Sequence, residues 1–164
     1  MSAFFQFFSS VPLHLHGVIL YALWGSVKAL KNRAVLFQQF CFFHLIFPIW
    51  AVTIFREIFT ESSIMMAWGC CAMAGIAYGW KWGTATAIDV DHKAKTIILP
   101  RSKGVFGLIV FFCVSFYVSR LFKNADAQAL IFVTRVGAPL ALGMITGRGL
   151  ALIRKYRKLT PSGA

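Results

Sequence analysis

The chain has 164 residues, of which 59% are hydrophobic, 16% aromatic and only 13% charged, and its formal charge is +12. Soluble domains carry about a quarter charged residues, so this balance argues against an ordinary water-solvated domain. The basic residues sit between apolar runs rather than on one polar face, which argues against nucleic acid as a partner.

The composition instead predicts an all-α membrane protein, because five apolar segments approach the roughly twenty residues that cross a bilayer as helix. The first covers residues 11–27 and follows Phe4, Phe5, Phe7 and Phe8, which would rest in the outer interface. No basic stretch precedes it, so it is expected to stay as a span rather than leave as a signal peptide. The second covers 34–55, where Phe47-Pro48 implies a kink through the lost backbone bond of Pro48. The third covers 63–80. A link at 81–103 then reads as a short cytoplasmic β-hairpin over 84–99, with strands at 84–90 and 96–99 and a turn at 91–94. The fourth and fifth segments cover 104–121 and 129–147, the latter able to continue as helix to Ile153, and 159–164 reads as a disordered end. The whole is expected to form one transmembrane domain over 1–158.

Basic residues set the orientation. Lys28, Lys31 and Arg33 follow the first segment; Lys81, Lys93, Lys95, Arg101 and Lys103 follow the third; Arg148, Arg154, Lys155, Arg157 and Lys158 follow the fifth. The opposite loops hold only Arg56, Arg120 and Lys123. This asymmetry predicts a multi-pass bacterial inner-membrane protein with its N-terminus outside and its C-terminus in the cytoplasm. Trp24, Trp80 and Trp82 would mark the inner interface and Trp50 the outer one. Anionic headgroups at the cytoplasmic face are the natural partner of such basic loops.

Small residues predict close helix packing, with Cys71, Gly75 and Gly79 in the third segment and Gly143 and Gly147 in the fifth. They serve either packing within one bundle, the favoured reading, or a homodimer or partner-protein seam. Cys41, Cys70, Cys71 and Cys113 form no CxxC pair and are read as reduced side chains.

Ionisable groups within apolar segments are candidates for function. Arg135 heads them, close enough to the outer end to snorkel, or else to meet Glu57, Glu61, Asp126 or an external anion. His14 and His16 lie near the outer end of the first segment and point about 200° apart on a helix. His44, with Gln38 and Gln39, falls within the second. Bis-histidine haem ligation by His44 and His16 requires matched depth, which their positions do not give. Hydrogen-bonded packing histidines fit better. No metal site, cofactor motif, nucleophile elbow or phosphate loop is present.

The stretch Ile88-Asp89-Val90-Asp91, then Ile97-Ile98-Leu99-Pro100-Arg101-Ser102 running into residues 104–112, together with Gly147-Arg148-Gly149-Leu150-Ala151-Leu152, resembles a family of small five-span bacterial inner-membrane proteins of unknown function. Arg101 stands where that pattern would carry glycine. The resemblance implies the five-span topology and a bacterial origin, and it brings no activity. The expectation is therefore an integral membrane protein that is not an enzyme, acting as a structural, accessory or binding subunit. The alternatives are a small transporter or ligand-binding protein with an outer polar pocket of Arg135, His14, His16, Glu57 and Glu61, and a haem-binding redox protein.

Overall fold

The structure, a computed structural model, describes residues 13–55, 62–91, 93–121 and 136–159. Among these residues five helices, α1 (Leu13–Lys28), α2 (Phe37–Phe55), α3 (Ser62–Ala85), α4 (Lys103–Leu121) and α5 (Ala138–Leu159), accompany strands β1 (Arg33–Leu36), β2 (Asp89–Asp91) and β3 (Thr96–Leu99). The strands form one antiparallel sheet in the order β1-β3-β2.

Among the described residues, no helix is long and apolar enough to cross a membrane. This overturns the five-transmembrane bundle, the membrane and transmembrane assignment and the multi-pass inner-membrane location. The dimensions and polar content of the helices give the reasons. The 16 residues of α1 rise about 24 Å, short of a hydrocarbon core of about 30 Å. In α5, Arg148, Arg154, Lys155, Arg157 and Lys158 interrupt the apolar pattern. The described stretches of α2 and α4 carry Gln38, Gln39 and His44, and Lys103.

The sheet also differs from the expected hairpin. Residues 33–36 form a third strand instead of opening a helix, with Arg33 opposite Leu99 and Leu36 opposite Thr96. β2 is confined to Asp89–Asp91, because α3 continues through Ala85. The turn between β2 and β3 is fixed by Asp91, whose Oδ1 accepts from the Lys93 and Ala94 amides. Lys95 closes it at a φ of 51°, the left-handed region that L-residues enter only at a cost. The Phe37 amide then donates to the Lys95 carbonyl, tying the start of α2 to the hairpin.

Two cores result. One gathers Ile19 and Ala22 of α1, Trp68 of α3, Ile109, Phe112 and Cys113 of α4, and Ala138, Leu142 and Ile145 of α5. The other joins the sheet to the end of α5: Ile97 and Leu99 alternate onto one face and meet Phe40, Leu152, Ile153 and Tyr156. Tyr156 stacks on Phe37 at 3.9 Å between ring centroids.

Helices α3 and α5 run parallel at very close range. A Cβ added to Gly75 would strike the Leu140 carbonyl, one on Gly79 the Met144 backbone, and one on Gly83 the Arg148 backbone. From the other side, Gly143 faces the Ala72 carbonyl and Gly147 the Ile76 carbonyl. Here the small residues of the third and fifth apolar segments face one another within one chain. Cys71 is half-buried beside this seam and, like Cys41, Cys70 and Cys113, is a free thiol.

Candidate functional site

The sheet and the helix ends that surround it gather the cations. The Ser102 amide donates to the Ala29 carbonyl at 2.7 Å, and the Arg101 amide to Asn32 Oδ1 at 2.8 Å, so the turn after α1 sits against the start of α4. Lys155 of α5 donates to the Thr86 carbonyl beyond α3 at 3.0 Å. The ends of α1, α3 and α5, the start of α4 and the sheet therefore meet at one pole. All thirteen basic residues assigned above to the inner loops belong to it. Among the described residues its carboxylates are Asp89 and Asp91, each turned to its own loop: Asp89 accepts from the Val90 amide and Asp91 from the Lys93 and Ala94 amides.

Aromatic side chains interleave with these charges. Lys28 Nζ lies 3.2 Å from the ring centroid of Trp24, and Arg154 Cζ lies 5.6 Å from that of Trp80. Trp24 is 58% exposed and is continued along α1 by exposed Leu20, Tyr21 and Val27. Exposed apolar side chains also run along α2 and α3, among them Phe42, Ile49, Met66 and Met73.

One cation of this pole is buried. Arg148 is 6% exposed, its Cζ lies 4.8 Å from the Trp82 ring centroid, and its Nε has no hydrogen-bond partner. Burial, and then the positive charge of Arg33, bring its pKa down to about 10, so it stays protonated at neutral pH. Arg33 is half-buried and spends one donor on the Gly25 carbonyl at 3.0 Å. Among the described residues no carboxylate offsets either guanidinium. Stacking on an indole returns about 2 kcal/mol, against several kcal/mol to desolvate an ion. Loop retention of basic residues gave no sign of this burial; the only hint in the sequence was a lone arginine in the Gly147-Arg148-Gly149 run.

Beside Trp82 lies a cavity of about 700 Å³ lined by Tyr78, Lys81, Ala85, Gly104, Gly107, Leu108 and Met144 as well. Gly104 allows the Trp82 ring to approach α4, since a Cβ there would fall 3.0 Å from it.

His44 sits on the other flank of Arg148. Its Nδ1 donates to the Phe40 carbonyl at 2.9 Å, and its ring occupies the space a side chain at Gly149 would take. Burial, a backbone hydrogen bond that works the other way, and the charges of Arg148 and Arg33 together lower its pKa to about 4. It is a neutral packing histidine at physiological pH. His16 is elsewhere, hydrogen-bonded through Nδ1 to the Tyr117 hydroxyl at 2.9 Å between α1 and α4. The two histidines named as haem candidates thus serve different contacts. Gln38 and Gln39 are exposed in the first turn of α2. Arg135, Glu57, Glu61, Asp126 and the side chain of His14 lie outside the described residues, and the outer pocket built on them lies there too. Among the described residues no three His, Cys, Asp or Glu side chains converge as a metal site.

No family model, no curated protein and no solved structure matches the chain. The likeness to small bacterial membrane proteins drawn above therefore stands on its quoted residues alone.

Proposed function

We propose that the chain is a non-enzymatic accessory or structural module that seats its cationic pole on an anionic lipid surface. The observation that carries this reading is the pole itself, where thirteen of seventeen basic residues meet, among the described residues, only two carboxylates, both engaged by their own turns. Charge of this density selects an anionic partner. The exposed Trp24 beside Lys28 and the Trp80–Arg154 pair select an interface that is charged outside and apolar just beneath. This mode lies on a bilayer and needs no helix to cross it.

The test is co-sedimentation with vesicles of phosphatidylcholine alone and with one third phosphatidylglycerol, at low and at high salt. Binding should favour the anionic vesicles and weaken with salt. Each cation near such a surface contributes about 1 kcal/mol, so Arg154→Gln, Arg157→Gln and Lys158→Gln together should weaken binding on the order of a hundredfold. Equal binding to neutral vesicles, or affinity unmoved by the triple variant, would refute the reading.

A further inference from the structure

We propose that Arg148, over the Trp82 indole, and Lys81, in the adjoining cavity wall, form a recessed binding site for a phosphate-type oxyanion. This goes beyond the surface docking proposed above, because the site centres on the pole's buried arginine and the cavity beside it rather than on the exposed cations.

The geometry supplies three reasons. First, Arg148 is more than nine-tenths buried, yet its Nε finds no acceptor. A guanidinium presents five donors in a planar fork suited to phosphate oxygens, and here no carboxylate among the described residues takes that place. Second, the site adjoins space for a ligand. Met144 lines the 700 Å³ cavity and lies one turn before Arg148 on the same face of α5. Helical side chains lean toward the N-terminus of their helix, which carries the Arg148 stem toward the level of Met144. Trp82 touches both, as a wall of the cavity and as the ring under the guanidinium. Third, the cavity is furnished for an anion with an apolar body: Lys81 is its one charged lining residue, and Leu108 and Met144 give it apolar walls.

Like charges do not collect in a poorly solvated place without a counter-charge unless the structure enforces it. The α3–α5 seam does so here, since Gly83 packs on the Arg148 backbone and holds that residue against α3, where Trp82 lies under its guanidinium. An oxyanion supplies what the chain lacks.

Thermal unfolding of the full chain, with no vesicles present, tests this separately from lipid docking. Inorganic phosphate should raise the Tm above that in chloride of equal ionic strength, with saturation. Arg148→Lys keeps the charge and loses the fork, so it should weaken the phosphate response at least tenfold. Arg148→Met should abolish the response, and should melt higher than wild type in chloride because an uncompensated buried charge is gone. Water-soluble dihexanoyl phosphatidate distinguishes the ligand's source. Tighter binding than inorganic phosphate assigns the site to a lipid headgroup, equal binding to a free phosphate, and either supports the site. A phosphate response unchanged in Arg148→Lys, or no response to either probe in wild type, would overturn it. So would an Arg148→Met protein that fails to fold, since the charge would then be compensated already.

Discussion

Replacing Gly79 by alanine should open the α3–α5 seam, and the cost can be worked from the backbone. The added Cβ would fall on the Met144 carbonyl and its neighbouring backbone atoms, with no flexible side chain to give way. Relief requires the two helices to separate, which also loosens the contacts at Gly75 and Gly143. Overpacking of this kind costs about 1–3 kcal/mol, and backbone on both sides places it at the upper end. Alanine recovers about 1 kcal/mol of helix propensity, leaving a net loss of about 2 kcal/mol. Gly69 supplies the control in the same helix. Nothing lies within 4 Å of a Cβ added there, so Gly69→Ala should gain about 1 kcal/mol. The two variants should differ by about 3 kcal/mol, or roughly 6–12 °C in Tm for a chain of this size. Gly79→Ala and Gly143→Ala combined should cost less than their sum, because one displacement relieves both. Circular dichroism melts of the set decide the matter. Equal effects of Gly69→Ala and Gly79→Ala would show that the seam is not closed at backbone distance.

Two further outcomes follow from buried titratable groups. His44 has its pKa lowered from the ordinary 6.5 to about 4, so the unfolded chain binds the extra proton first as pH falls. Its contribution to stability is intact above pH 6.5 and is lost progressively down to about pH 4. Because part of the residue reaches the surface, the loss is about 2 kcal/mol rather than the full value of the shift. Urea melts at stepped pH should show this limb in wild type and not in His44→Gln, and an identical limb in both would assign it elsewhere. The four thiols should separate under maleimide: Cys70 is exposed and should react first, with half-buried Cys41 and Cys71 slower. Cys113 is buried, and burial pushes its thiol up to about 11, so it should label only on unfolding. Prompt labelling of Cys113, read by mass spectrometry of the native protein, would contradict the core described around it.

The positions of the helices were largely legible from the apolar runs. The expected 11–27, 34–55, 63–80 and 104–121 differ from α1 to α4 by a few residues at most ends. What they do with respect to a bilayer was not legible in the same way. Hydropathy of a run records how apolar it is and says nothing of where its polar members fall in the folded helix. The strand at 33–36 was misread because Ala34, Val35 and Leu36 open an apolar run indistinguishable from a helix start. Its partner Thr96–Leu99 lies sixty residues on, and only that pairing selects extended backbone. The C-terminal end of α5 lies beyond the expected end at 147, and beyond its continuation to Ile153, for a different reason. Its last turns carry four cations and lack an apolar run, yet Leu152, Ile153 and Tyr156 recur at helical spacing and cover the sheet. Of the candidate site, Arg148 was visible only as one member of a basic cluster. Its burial depends on Gly83 and Trp82, which belong to another helix, so no local pattern could reveal it.

The seam and the buried arginine belong to one physical arrangement. Parallel α3 and α5 approach closely only because glycines lie on both faces, and that approach brings Gly83 against the backbone of Arg148 itself. A larger residue at position 83 would hold the helices apart and let water reach the guanidinium. The substitution Gly83→Ala should therefore lower two observables together: stability in chloride, through the overpacked seam, and the stabilising increment from phosphate, through an Arg148 that water now solvates. If stability falls while the phosphate increment stays whole, the cation owes its isolation to Trp82 and the sheet rather than to the seam. Trp82→Ala would then be the variant that releases it.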